Sequence, residues 1–583
     1  MSRSAPPLSR RQFLAASGVA LSAALARRVH SAAPAEPLDP GLVFFDAFTQ
    51  VGPRINKHPA QRWSLAHLQD EMQHCSIPGA LVLSTLSVSY DPMWSNAKLS
   101  AELAATPGLL AIWNAMPAIS REFPEPEELL RRMGAAGVRA VALHPAANGW
   151  PLFDPSSREL LAALAHARVA TIVPLAQLAG EGRPFEAVER LLEAHPGLPV
   201  ILTGVSWGHQ RALLPVLARR RNLHLTLEQF QIFNGPEYFV AEGLEDQVLF
   251  ASDAPTMSQG AHRAYLDYAD IPLAARRKIA GGNLRRLLGG HGPDATRPNP
   301  NEDPLMRAVR LGRPLPVPAI DFHMHFLDEG LNGAGGGHRM WRGDPQGIFA
   351  INRRLGVGGG AAMSWAGPVS VDAVGGNAAI ARALDLAPPG YFGAPTLDPV
   401  HYPAAEFAAQ IRTVYADARM IGMKPYPRYG VAYTDPRFAP WWEFGNEREF
   451  YALIHRTRAD FSEVDTLAKK YPRVRWVATH IGASFAVADQ SIESMKRHAN
   501  TFAELTLTSV TLGVIEHLVE HAGADRVLYG SDQSMRDPRQ QLGWVVFARL
   551  PLETKLAILA RNALRVLAPV MPRLPEHNRP PSL

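Results

Sequence analysis

Short apolar runs alternate along most of the chain with longer amphipathic stretches, one pair about every 25 to 30 residues. In the first half the runs are Leu42 to Phe48, Gly79 to Leu86, Leu109 to Trp113, Val138 to His144, Val169 to Pro174, Val200 to Thr203, Leu223 to Leu227 and Val248 to Ser252. This is the rhythm of alternating strands and helices in a parallel barrel or doubly wound sheet, and eight strand candidates fit one (β/α)₈ barrel. A Pro- and Gly-rich segment, 290–318, breaks the rhythm and reads as a linker.

After the linker the plan restarts. Phe45-Asp46-Ala47-Phe48-Thr49-Gln50 is matched by Ile320-Asp321-Phe322-His323-Met324-His325, and Val141 to Pro145 by Met423 to Pro427. Val248 to Asp253 returns as Val527 to Asp532, and Ile271-Pro272-Leu273 with Asn283 returns as Leu550-Pro551-Leu552 with Asn562. Counterparts stand about 279 residues apart, with the drift that loop insertions give a duplicated domain. The expected fold class is therefore α/β, two tandem (β/α)₈ TIM-type barrels over 43–289 and 319–568, followed by a tail, 569–583.

Length agrees, since 583 residues exceed one ordinary domain. A hydrophobic content of 47% with 19% charged residues describes a globular chain and excludes a disordered one. The first 33 residues change the charge picture. They hold Arg3, Arg10, Arg11, Arg27 and Arg28 and no acid, which accounts for the formal +5, so the rest is near neutral and carries no basic signature for nucleic acid. Ser9-Arg10-Arg11-Gln12-Phe13-Leu14, the apolar Ala15 to Ala26 and small residues at Ser31 to Ala33 resemble a twin-arginine export signal. The expectation is a protein exported by that route, periplasmic or extracellular. No apolar run reaches the ~18 residues a membrane span needs, and with Cys75 as the only cysteine no intramolecular disulfide can form.

The candidate chemistry gathers in the second half. His323 and His325 stand two apart in one strand, so both imidazoles project from the same face, half of a metal site. A lone pair of this kind also occurs as two satisfied core histidines. Further polar residues close later runs: Lys424 after Met423, His455 after Phe450 to Ile454, His480 after Val474 to Thr479, and Asp532 after Val527 to Ser531. Carboxyl ends of barrel strands share one face, and imidazoles with a carboxylate suit zinc or a similar ion. The charged run Asn446 to Glu449 leaves a helical placement of His455 open.

These residues resemble the amidohydrolase superfamily, in particular the amidohydrolase-related branch that includes aminocarboxymuconate-semialdehyde decarboxylase. The resemblance implies a TIM barrel in which His323, His325, His455 and Asp532 bind one divalent ion, expected to be zinc. It implies that Asp532 accepts the proton of an ion-activated water while His480 assists catalysis, and that Asn562 lies in the helix that closes the barrel. Lys424 is either carboxylated between two ions or, the plainer reading, an inward lysine facing an anionic substrate. Arg428, with Arg456 and Arg458 as alternatives, is a candidate for a substrate carboxylate. The reaction expected on a small-molecule substrate is hydrolysis of an ester, lactone or amide. Non-oxidative decarboxylation of a small acid is the alternative, and a non-catalytic binding or scaffold protein is the third reading; oligomerisation stays open.

The first half lacks the set. Phe48 and Gln50 stand for His323 and His325, Gly204 for His480, and the fifth run ends at Val173-Pro174 without a histidine. Only Asp253 matches Asp532, so the first barrel is expected to hold no metal and the chain about one ion in all. Gly333 to Gly337 reads as a mobile loop at the site, and Trp365 as either pocket lining or packing.

Overall fold

The computed structural model describes residues 40–54, 58–328, 336–456 and 460–582. The export signal expected over 1–33 lies outside them, as do Gly333, Ala334, Gly335 and Arg458. Within these residues each apolar run of the first half overlaps a strand: β1 Phe45–Val51, β2 Gly79–Ser84, β3 Leu109–Ala115, β4 Ala140–Leu143, β5 Ala170–Pro174, β6 Val200–Thr203, β7 Leu223–Thr226 and β8 Val248–Leu249. All neighbours pair in parallel in sequence order. The ring closes where Ala47 N–H donates to the Phe250 carbonyl at 2.9 Å and Asp253 N–H to that of Phe48 at 3.0 Å.

The second half repeats the arrangement with β9 Ala319–Phe326, β10 Val357–Ser364, β11 Tyr391–Gly393, β12 Gly422–Met423, β13 Tyr451–Ile454, β14 Arg475–Ala478, β15 Thr501–Glu504 and β16 Val527–Leu528. The pieces β9–β11 and β12–β16 join through parallel bridges Gly393–Met420 and Met324–Gln533. The fold is thus two TIM-type barrels, as the alternation predicts.

What fills the barrels differs. In the first, Ala47, Phe48, Leu81, Leu83, Ile112, Ala142, Ile172, Ile201 and Leu249 form an apolar interior cluster. In the second, the outward residues of β9, Phe322, Met324 and Phe326, join the large apolar layer between strands and helices. Their alternates Asp321, His323 and His325 are buried on the opposite face, as a period of two requires.

Local devices recur at matched positions. β1 and β9 each carry one extra residue against their partner strand, at Asp46 to Thr49 and at Asp321 to Met324. Such a bulge re-aims the side chains that follow it. Ser252 and Ser531 donate backbone and hydroxyl hydrogens to Asp46 and Asp321, tying the last strand to the first. A π-helical turn precedes Asn283 and Asn562, and each amide bonds two carbonyls at the start of the last strand, Glu245 and Val248 or Ala524 and Val527, at 2.7–2.9 Å.

The barrels meet through α1 (Gln259–Asp267), which follows β8, α2 (Pro304–Arg310), and α3 (Pro538–Val546), which follows β16. The segment between the barrels is therefore partly helical. Asp303 caps α2 by accepting from Met306 N–H at 2.9 Å, Pro304 occupies its first turn, where no N–H is missed, and Leu305 and Val309 are buried. Side by side, α1 and α3 approach closely because Gly260 faces Phe547 and Gly543 faces Ala264, with no room for a Cβ at either glycine. Arg539, fully buried, bonds Glu237 of the first barrel at 2.6 Å and Asp537 at 2.7 Å. Among the described residues no helix is long and apolar enough to cross a membrane.

Candidate metal centre

The cluster lies at the carboxyl ends of the second barrel's strands. His323 and His325 come from β9; Lys424 follows β12, His455 follows β13, His480 follows β14, Glu504 ends β15, and Asp532 follows β16. Ser531 and Asp532 N–H both donate to the His323 carbonyl, and Ser534 N–H to that of His325, which stitches the last strand's end alongside the first. Gly530 is required beside them, since a Cβ there would strike the Glu504 carboxylate and the His323 side chain.

His323 Nε2 and His325 Nε2 lie 3.2 Å apart, and Asp532 Oδ1 is 3.5 and 3.4 Å from them. Three ligands at about 2.1 Å on a tetrahedral ion are about 3.4 Å from one another, so the spacing fits one divalent cation. Protonation points the same way. The Ser364 carbonyl, which can only accept, lies 2.9 Å from His325 Nδ1, so the ring carries its proton there and Nε2 is a bare lone pair. His323 Nδ1 is engaged by Glu504 Oε2 at 3.2 Å, and Lys424 Nζ approaches its Nε2 at 3.0 Å. Two imidazole nitrogens and a carboxylate oxygen thus converge on one point beside Lys424, an arrangement that suits a divalent cation.

Electrostatics keeps the imidazoles neutral. Burial, then the neighbouring Lys424, holds His323 well below its ordinary value and takes His325 down to about 3. Burial lowers His455 and His480 likewise, with the His480 ring adding to it at His455 and Arg536 at His480. Lys424, fully buried, drops to about 7 and Glu504 rises to about 8, both by desolvation.

His480 sits in the left-handed region at φ 62°, where its counterpart Gly204 has φ 69°. A non-glycine residue there costs energy that its role must justify. The Thr506 carbonyl accepts from its Nδ1 at 2.6 Å, and its Nε2 meets His455 Nε2 at 2.7 Å. His455 follows a strand, because Glu449, at φ 58°, ends the helix Ala439–Arg448 that the charged run belongs to. It joins the cluster through His480, not through the triad of His323, His325 and Asp532.

Arg428 is exposed in a turn and is not brought to the cluster, and Arg456 lies 5.1 Å over the Phe461 ring. The arginine that reaches it is Arg536, buried, with Nη1 on Asp532 Oδ2 and Nε on Thr508 Oγ1 at 2.8 Å. Sequence reasoning missed Arg536 and Glu504. Glu504 had a signal, a lone acid closing an apolar run and matched by Glu228 in the first half; an arginine in a loop gives none.

Residues 95–290 and 320–568, more than half of the chain, match the family described as amidohydrolase. The chain belongs to the amidohydrolase family. The protein is accordingly a metal-dependent enzyme of this family. Solved structures similar to this chain include an uncharacterised TIM-barrel protein from Bordetella bronchiseptica (19% identity, 43% of this chain and 99% of that one, TM-score 0.35). Others are 5-carboxyvanillate decarboxylase from Sphingomonas paucimobilis (14%, 42% and 99%, 0.34) and 2,6-dihydroxybenzoate decarboxylase from Rhizobium (16%, 42% and 99%, 0.34). A comparison with curated proteins finds no match.

The amidohydrolase set is absent from the first barrel. Asp253 accepts from Gln50 Nε2 at 2.6 Å beside Phe48. At the junction between the barrels, His58, Asp489 and His517 also gather, but Ala60 N–H donates to His58 Nδ1 at 3.2 Å. That leaves the His58 proton on Nε2 for Asp489 at 3.2 Å, so the group is satisfied by hydrogen bonds alone.

Proposed function

We propose that the second barrel hydrolyses an ester, lactone or amide with one zinc ion, and that the protein works outside the cytoplasm after twin-arginine export. The observation that carries the reading is the meeting of two imidazole lone pairs and a carboxylate oxygen within 3.2–3.5 Å. His323, His325 and Asp532 would hold the ion, with His455 as the further donor that the resemblance assigns, and a bound zinc would supply Lewis acidity toward a substrate oxygen. The chain's own residues do the rest. Asp532, oriented by Arg536, accepts the proton that water gives up as it attacks. His480, its ring fixed by Thr506, takes that proton from Asp532 at Nε2 and delivers it to the departing oxygen or nitrogen. Lys424 and Arg536 offset negative charge on the substrate.

A second reading, decarboxylation of a small acid, is favoured by those two buried cations, which suit a carboxylate held at the cluster. The matched strands and closing devices support descent of both barrels from one duplicated unit, the first having lost its metal set. Zinc-loaded protein assayed with esters, lactones and amides, and with carboxylic acids for released carbon dioxide, separates the readings. Hydrolysis of the first group without carbon dioxide from the second is expected; carbon dioxide alone would establish the decarboxylase, and neither activity the scaffold. Changing Arg10 and Arg11 together to Lys is expected to retain the precursor in the cytoplasm, seen by cell fractionation.

A further inference from the structure

His338 lies on the segment between β9 and β10 and is 2% exposed. Its ring is 4.5 Å from that of Trp207, in the turn after β6 of the first barrel, and 6.4 Å from that of Trp365 at the end of β10. Trp365 in turn packs edge-on to His325 at 5.5 Å. A continuous row of rings therefore leads from the first barrel to a candidate metal ligand of the second.

The nitrogens of His338 differ. The ring bonds the backbone of Met535, three residues past Asp532, while Nε2 is buried and has no hydrogen-bond partner. Bonding to a carbonyl at Nδ1 puts the proton there and leaves Nε2 an acceptor with nothing to accept. Burial, with Arg536 and Arg211 nearby, keeps the ring neutral, its pKa lowered to about 4. A buried acceptor left bare costs free energy, which a donor brought by a ligand would offset.

The first barrel holds this segment from both sides. Arg211 donates to the Gly336 carbonyl, Gln210 Oε1 accepts from Arg339 N–H at 2.7 Å, and Asn234 Nδ2 donates to the Trp341 carbonyl at 3.1 Å. A flexible loop would lose such an acceptor among rotamers; a clamped one presents it in one place.

We propose that His338 is a specificity-determining residue of the second barrel. Its Nε2 accepts a hydrogen bond from a hydroxyl or N–H group of the substrate away from the bond that reacts, and the first barrel serves the enzyme by holding this acceptor in position. The inference names a feature of the substrate, a hydrogen-bond donor, and rests on the reading of the second barrel as the reacting site.

The test uses the zinc-loaded full-length chain and matched lactones that differ only in a hydroxyl group, measured for turnover and, by calorimetry, for binding. Preference for the hydroxylated member is expected. His338→Phe should lower its kcat/KM about 10- to 100-fold, through KM, while leaving its deoxy partner and the zinc content unchanged. His338→Gln, whose amide oxygen can accept, should keep part of the preference, and Trp207→Ala should weaken it without touching any zinc donor. Equal losses on both members, a fall in zinc content, or no binding preference in the unaltered protein would overturn the proposal. A calorimetric preference that His338→Phe abolishes, in a protein that turns over neither lactone, would uphold it while overturning the hydrolytic reading.

Discussion

Asp532 and Asp253 hold equivalent places, each in the left-handed region at φ 54° and 53°, and each after a Ser that ties the last strand to the first. Their surroundings separate them. Asp532 faces two imidazole nitrogens within 3.5 Å, while Asp253 faces an amide at 2.6 Å. Asp532→Asn, which keeps the size and removes the charge, is expected to cut activity about a thousandfold or more, and Asp253→Asn to do little, in steady-state assays. His480→Ala should lower turnover more than metal content, because the proposed donors are His323, His325, His455 and Asp532 and its own role is proton transfer. These expectations were legible in part: alternation put His323 and His325 on one face, whereas the second layer, Glu504, Ser364 and Arg536, comes from strand ends and loops that no local pattern brings together.

Among the elements, α1 and α3 show what a short sequence can hide. A glycine weakens a helix interior, and here Gly260 and Gly543 form the contact surface of two barrels. Gly543→Val would push a branched side chain into Ala264 and the Gly260 carbonyl. Overpacking of this kind costs about 1–3 kcal/mol, to be read as a lower denaturation midpoint with little change in the metal site, which the same helix does not supply. The segment 290–318 teaches the converse. Its proline and glycine content reads as a break, yet Asp303 and Pro304 are also a helix start, and the helix found apolar neighbours because α1 and α3 stand beside it.

For the whole molecule, two barrels of one plan would suggest two ions, and the donor inventory says one. Among the described residues the group at the barrel junction is already satisfied by protons, and the first barrel offers Phe48 and Gln50 where the second offers imidazoles. Elemental analysis of the purified protein is expected to give about one divalent ion per chain, lost when His323 and His325 are both changed to Ala. Two ions would point to a bridged pair at Lys424.

The sequence by itself determined the strand rhythm, the family and the identities of the metal-type residues, because each of these is written in local periodicity or in a motif of a few neighbours. The tertiary structure alone decided which cations reach the cluster, placing Arg536 against Asp532 and leaving Arg428 exposed. It alone decided that His455 meets His480, and that Trp207 of one barrel reaches His338 of the other. Hydrogen bonds and ring contacts act over a few ångströms in space, and Trp207 and His338 lie 131 positions apart in the chain, a separation that periodicity cannot see. Arg536 is four residues from Asp532 but in a loop, where no repeat sets the direction of a side chain.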